Sequence, residues 1–149
     1  MHFLPLLALA AALGLASCSS YQADFKKEAK KFKQGDSPKG PWKGTWKSEF
    51  NGHHGPIWCL VSQDPKQPEN WTFRYRAGWG VLQFGDYGHP IKLALRPGNV
   101  LLVDDKMTLS NDFGTYAVKG KVTPTKFNFR FNGSGDKGTM ILTRPKKNP

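Results

Sequence analysis

Apolar and polar side chains alternate with a period of two along most of the chain between residues 42 and 145. The clearest runs place aromatic residues at every second position, with polar or basic residues between them: Trp71, Phe73 and Tyr75, then Phe127, Phe129 and Phe131. Successive side chains of a strand point to opposite faces of the sheet, so this pattern predicts half-buried antiparallel strands. No helical pattern interrupts them. The predicted fold class is therefore all-β.

Turn-forming residues divide this region into short strands. Asn51-Gly52 and Asn132–Gly135 have the composition of hairpin turns. Nine candidate segments are visible: Gly44–Phe50, Pro56–Ser62, Trp71–Ala77, Val81–Phe84, Pro90–Leu95, Asn99–Leu109, Tyr116–Thr123, Lys126–Asn132 and Gly138–Arg144. Merging the broken middle of the chain reduces them to about eight strands. Asp104-Asp105 is interpreted as a turn or bulge between two short strands. Closing the sheet removes its exposed edges, which favours a small up-and-down barrel.

The chain begins with an uncharged segment that ends at a cysteine. Residues 1–17 include the apolar run Phe3–Leu13, which has the length of a secretory signal and is too short to span a bilayer. The following Leu15-Ala16-Ser17-Cys18 resembles the lipobox of bacterial lipoproteins. This resemblance implies cleavage before Cys18, acylation of Cys18 and anchorage of the remaining chain to a membrane. The alternative is an ordinary secretory signal followed by a coincidental cysteine.

A basic segment separates Cys18 from the strands. Over Tyr21–Lys33 three aromatic residues share one helical face, and five lysines cover the remainder: Lys26, Lys27, Lys30, Lys31 and Lys33. The segment is predicted to be either an amphipathic helix lying on anionic headgroups or a solvated tether. The expected organisation is a signal peptide (1–17), a lipid-anchored basic segment ending in a Pro- and Gly-rich linker (18–41), a barrel (42–145) and a tail (146–149).

The net charge of the chain and the positions of its basic residues indicate which kind of partner it binds. The chain has a formal net charge of +11, and all its charged side chains follow Ser17. Further basic residues fall at predicted outward positions: Arg74, Arg76, Lys119, Lys121, Lys126 and Arg130. Export argues against a nucleic acid, so the predicted partner is the lipid bilayer, or these residues simply form a solvated face. The predicted location is the cell envelope, at the periplasmic face of the outer membrane in a Gram-negative host, because Ser19 is not the Asp of an inner-membrane retention signal.

Two short motifs suggest a fold family. Gly44-Thr45-Trp46 opens the first predicted strand, and Gly138–Arg144 has the form of a closing strand that ends in arginine. Together these motifs resemble the calycin superfamily, which includes the lipocalins. The resemblance implies that Arg144 covers Trp46 at the closed end of the barrel. An indole would then plug the floor while a guanidinium stacks on its face.

Candidate chemistry is sparse. His53-His54 invites a ligand or metal interpretation, but adjacent residues of a strand point to opposite faces, and a polar hairpin tip is the simpler explanation. Cys59 lies among apolar residues and is predicted to be a buried thiol. No set of nucleophile, base and acid is visible. The chain is therefore predicted not to be an enzyme, and no cofactor or metal is implied.

Two functional classes remain open. The first is a membrane-anchored envelope lipoprotein whose barrel is a binding or structural module for a small apolar ligand, the membrane surface or an envelope polymer. The second is a protein-binding inhibitor lipoprotein of the lysozyme-inhibitor type. Lysozyme is usually basic, so a chain with a net charge of +11 would repel it. A hollow barrel interior would support the carriage of a ligand, whereas a filled interior would support a structural role.

Overall fold

A computed structural model describes residues 20–108 and 114–147, which form one helix followed by eight strands. Helix α1 spans residues 20–31. The strands are β1 (Gly40–Ser48), β2 (His54–Gln63), β3 (Asn70–Trp79), β4 (Leu82–Lys92), β5 (Leu101–Thr108), β6 (Thr115–Val122), β7 (Phe127–Gly133) and β8 (Lys137–Thr143). The signal segment 1–17 and Cys18 lie outside the described residues.

The strands form a nearly closed antiparallel barrel. Their hydrogen-bonded order is β4-β3-β2-β1-β8-β7-β6-β5, so consecutive strands are neighbours except β4 and β5, and β1 pairs with β8. β4 and β5 are the two edges of this sheet. A side-chain contact bridges the seam between them, with Nε2 of His89 lying 2.9 Å from Oδ2 of Asp105. The prediction of an all-β, up-and-down barrel of about eight strands is confirmed.

The barrel interior is built from the alternating positions that the sequence pattern identified. Trp71, Phe73 and Tyr75 of β3 are buried, as are Phe127 and Phe129 of β7. These residues belong to one cluster to which every strand contributes, directly or through a half-buried side chain packed against it. Burial of alternate side chains from a curved sheet explains why the period-two signal was strong.

The fourth strand differs from the prediction. Val81–Phe84 and Pro90–Leu95 were expected to be separate strands, whereas Leu82–Lys92 is continuous. Pro90 lacks a backbone donor, but β4 is an edge strand, where proline is tolerated. The pairing of β3 with β4 also shifts register between Tyr75 and Ala77, opposite Gly85 at φ +88°. Glycine and proline therefore mark an irregular edge strand here, not a loop.

Two other predicted boundaries were wrong. Asp104-Asp105 lies inside the continuous strand β5, with no turn between the two residues. The first strand begins at Gly40 and ends at Ser48, so it starts inside the predicted linker and stops before Phe50. Phe50 belongs to the following turn and is exposed, whereas the predicted strand Gly44–Phe50 places it by alternation on the same face as Trp46.

The barrel has two distinct ends. The turns after β1, β3 and β7 lie at one end, which we call the open end. The connections after β2, β4 and β6 lie at the other, which we call the closed end, together with the C-terminal end of α1. α1 packs on the outer wall, where Tyr21 and Phe25 are buried against Trp58 and Leu60 of β2.

Candidate functional site

The closed half of the barrel interior is filled by aromatic side chains. The ring of Trp42 lies edge-on to Phe127, with their centroids 5.6 Å apart, and Phe127 contacts Phe129 at 4.4 Å. Phe73 contacts both phenylalanines, at 6.0 and 5.8 Å. Aromatic pairs at these separations favour offset and edge-on packing. This half of the barrel therefore leaves little room for a ligand.

The open half contains an apolar cavity of about 200 Å³. Its lining residues come from all eight strands or their adjoining turns: Trp46, Ile57, Tyr75, Ala77, Phe84, Tyr87, Met107, Tyr116, Phe131, Asp136 and Met140. Several of them, including Trp46, Tyr116 and Phe131, are only half-buried, so the cavity reaches the surface. The interior is thus neither fully filled nor fully hollow.

A few polar groups meet this apolar lining. The indole Nε1 of Trp46 donates to the carbonyl oxygen of Gly78 at 2.8 Å. The hydroxyl of Ser48 donates to Oδ1 of Asp136 at 2.5 Å, which fixes that carboxylate at the cavity mouth. Burial raises the pKa of both Tyr87 and Tyr116, which keeps their phenols neutral. Apolar walls with a few placed polar groups are typical of small-molecule sites.

Tyr75 lines the cavity with its ring and carries a buried polar atom. Its hydroxyl is buried, and no nitrogen or oxygen of the described residues forms a hydrogen bond with it. Its polar neighbour is the thiol of Cys59 on the paired strand, which is a weak hydrogen-bonding group. Burial raises the pKa of the Tyr75 hydroxyl and that of the Cys59 thiol well above their ordinary values, so both groups stay protonated. Cys59 is buried, as predicted.

At the closed end, Arg144 covers a tryptophan, but it is Trp42 instead of Trp46. The guanidinium carbon lies 3.7 Å from the Trp42 ring centroid and 4.4 Å from that of Phe32. Its nitrogens donate to three carbonyl oxygens, those of Ser37, Pro41 and Pro124, at 2.8 to 3.2 Å. Burial lowers the pKa of Arg144 to about 10, which still leaves it protonated at neutral pH.

The predicted pair of Trp46 with Arg144 was therefore wrong, and the strand register explains why. Trp46 pairs with Met140, whereas Lys43 pairs with Thr143, so Arg144 falls opposite Trp42. The sequence contained a signal for this arrangement, because Gly40-Pro41-Trp42 is a second Gly-X-Trp motif. Trp46 lies nearer the open end, where it lines the cavity. The barrel is compatible with a calycin-like fold.

Helix α1 also differs from the expectation. Its Tyr21 and Phe25 pack on the barrel, so the aromatic face predicted to lie on headgroups is covered by protein. The Tyr21 hydroxyl donates to the carbonyl oxygen of Arg74 at 2.9 Å. The guanidinium of Arg74 contacts Asp24 of α1 at 2.8 Å and Asp86 of β4 at 2.6 Å. Arg74 therefore joins the helix to the barrel wall.

The predicted basic surface divides into two groups. Arg76 is buried and donates to the carbonyl oxygen of Gly85, and Arg74 is largely covered, so neither forms a free basic surface. The others of that set are exposed: Lys119, Lys121, Lys126 and Arg130. The lysines of the basic segment are exposed as well: Lys26, Lys27, Lys30, Lys31 and Lys33. In residues 20–108 and 114–147 no helix is long and apolar enough to cross a membrane.

The two adjacent histidines lie at the open end and have separate environments. The His53 ring stacks on Trp79 with centroids 5.0 Å apart. The His54 ring Nδ1 lies 3.3 Å from the carbonyl oxygen of Gly52, within its own turn. No group of three His, Cys, Asp or Glu side chains that could hold a metal ion occurs among the described residues. Nothing else in this part of the chain converges on the pair.

Comparison with known proteins gives no further guide to function. No family model, curated protein or solved structure matches this chain. The cavity of the open end is therefore the candidate site, on geometry alone.

Proposed function

We propose that this protein is a lipid-anchored envelope lipoprotein with a calycin-like barrel that binds a small apolar ligand at its open end. The single observation that carries the binding proposal is the apolar cavity of about 200 Å³, whereas the proposed anchor rests on the resemblance of Leu15-Ala16-Ser17-Cys18 to a lipobox. A dry apolar cavity of roughly 150 Å³ is large enough to bind benzene. Ligands of the size of a small aromatic molecule or a short acyl chain therefore suit this site.

The polar groups of the cavity refine the ligand class. The Tyr75 hydroxyl is buried beside the Cys59 thiol and is not exposed to the cavity, so it offers a ligand no hydrogen bond. Asp136 at the cavity mouth already accepts a hydrogen bond from Ser48, and its carboxylate disfavours an anionic group at the outer end of a ligand. The favoured ligand is therefore neutral and largely apolar.

The binding proposal is tested with two methionine methyl groups as reporters. Met107 and Met140 both line the cavity. Addition of toluene to ¹³C-methyl-methionine-labelled protein should shift both resonances. Ala77→Phe, which places a ring in the cavity, should abolish the shifts, whereas Ala117→Phe on the exposed outer face of β6 should leave them unchanged. Resonances that do not respond to toluene in the unsubstituted protein would contradict ligand binding.

The anchoring proposal is tested separately in cells. Attachment of lipid at this position requires the cysteine thiol, so Cys18→Ala should move the protein out of the membrane fraction. Ser19→Ala is the matched control and should leave fractionation unchanged. A membrane fraction that survives the loss of Cys18 would refute lipid anchorage without affecting the binding experiment.

A further inference from the structure

Four large apolar side chains are exposed around the open end. The exposed fractions are 99% for Val81, 74% for Phe50, 63% for Leu82 and 50% for Trp79. They lie on two neighbouring turns, which His53 links by stacking on Trp79. We call these four residues the apolar rim. A cluster of exposed large apolar side chains is typical of an interaction site, unlike single exposed residues.

The backbone of the β3–β4 turn holds its apolar side chains outward. Trp79 pairs with Leu82, so the turn has two central residues. The first is Gly80 at φ +60°, a position and conformation that a type II′ turn reserves for glycine. Val81 is then at the tip, away from the barrel.

Helix α1 begins close to this turn. Nε2 of Gln22 donates to Oε1 of Gln83 at 3.1 Å, and Gln83 directly follows rim residue Leu82. The helix that follows the proposed acylation site in the sequence therefore begins beside the rim.

The charges beside the rim favour an anionic surface. Lys47 and Lys137 at the open end are exposed. The neighbouring carboxylate of Glu49 is paired with Arg130 at 2.7 Å, and those of Asp24 and Asp86 are paired with Arg74. These three acidic groups are thus engaged with arginines and Asp136 accepts a hydrogen bond from Ser48, while Lys47 and Lys137 extend into solvent. Basic residues near an anionic membrane are attracted to its surface.

We propose that the apolar rim inserts into the headgroup region of an anionic bilayer, so that the open end of the barrel faces the membrane. This inference rests on the proposed lipid anchor. Tryptophan is enriched at membrane interfaces, where its apolar ring and polar N–H are both accommodated. In this orientation an apolar ligand passes from the bilayer into the cavity without crossing water.

The orientation is tested on the acylated full chain, reconstituted on vesicles of phosphatidylethanolamine and phosphatidylglycerol. An environment-sensitive fluorophore is attached at Val81→Cys or, as the matched control, at Thr125→Cys on the exposed β6–β7 turn of the closed end. Cys59 is buried with a raised thiol pKa, so it stays unlabelled. The probe at position 81 should shift its emission to the blue, be quenched by brominated lipid and resist aqueous iodide. The probe at position 125 should show the reverse.

The outcomes separate this inference from the anchor on which it rests. If the protein floats with the vesicles but both probes are quenched by iodide, the rim does not insert and the orientation is overturned, while the anchor stands. If the position-81 probe is protected without vesicles and this protection increases with protein concentration, the rim is an interface between copies, which also overturns the inference. A chain that does not float at all would overturn the anchor and the orientation together.

Discussion

The closed end offers a sharp test of the structure, because Arg144 is expected to be coupled energetically to one tryptophan and not the other. Trp42 is completely buried, so Trp42→Ala should cost about 3–5 kcal/mol through lost burial and an unfilled cavity. Arg144→Ala removes three charge-assisted hydrogen bonds and should cost about 2–4 kcal/mol. A desolvated cation–π contact is worth about 2 kcal/mol, so the double variant should be less destabilised than the sum by about 1–2 kcal/mol.

Trp46 provides the matched comparison. It pairs with Met140, four positions before Arg144 on the same chain segment, or roughly 13 Å along a strand. Sites more than about 7–10 Å apart usually act independently to within 0.3–0.5 kcal/mol. Trp46→Ala and Arg144→Ala should therefore add, although Trp46→Ala also enlarges the open-end cavity.

Urea unfolding followed by far-ultraviolet circular dichroism measures both cycles, because this signal does not depend on the substituted tryptophans. If Trp42→Ala does not fold, Trp42→Phe keeps most of the volume and still reports the coupling. Arg144→Lys should not restore stability, since an ammonium cannot reach three carbonyls with the planar fork of arginine. A coupling energy larger for Trp46 than for Trp42 would refute the strand register described here.

Two further predictions concern contacts outside the core. Arg74 lowers the pKa of Asp86, so this pair stabilises the fold above the unfolded-state value of about 4 and the contribution is lost as pH falls through the lower folded value. The difference in urea midpoint between the natural protein and Asp86→Asn should therefore shrink in acid; a constant difference would contradict it. At the seam, Asp105→Ala should cost about 1–3 kcal/mol because it leaves buried His89 without its partner, whereas Asp104→Ala should cost under about 0.5 kcal/mol. Equal losses in thermal unfolding would refute the bridging role of His89.

The sequence predicted the fold class well, because alternation is a direct consequence of strand geometry. It could not determine the register of the first and last strands. Trp42 and Trp46 are separated by four positions, so both have the same inward parity, and a period-two pattern cannot distinguish them. The pairing of Lys43 with Thr143 that selects Trp42 depends on contacts between strands distant in sequence.

The surface on which α1 packs could not be predicted from the sequence either. An aromatic stripe identifies an apolar face but does not indicate whether lipid or protein covers it. Trp58 and Leu60 were available at outward positions of β2, and their outward placement follows from inward Cys59. A predicted strand with apolar side chains on both faces is therefore a signal that some other element must cover its outer wall.

The cavity at the open end lowers the stability of the barrel, and the packing at the closed end compensates for this loss. An enclosed apolar void of 200 Å³ would cost roughly 5 kcal/mol at about 24 cal/mol per Å³, and because this cavity reaches the surface that figure is an upper bound. That is comparable with the whole stability of a small domain, about 5–15 kcal/mol. Two features of the closed end offset this cost. One is the dense aromatic packing around Trp42 and Phe127, and the other is the set of hydrogen bonds that Arg144 donates to three carbonyl oxygens. A ligand or lipid chain in the cavity would remove much of the same penalty, so stability and binding are linked through the open end.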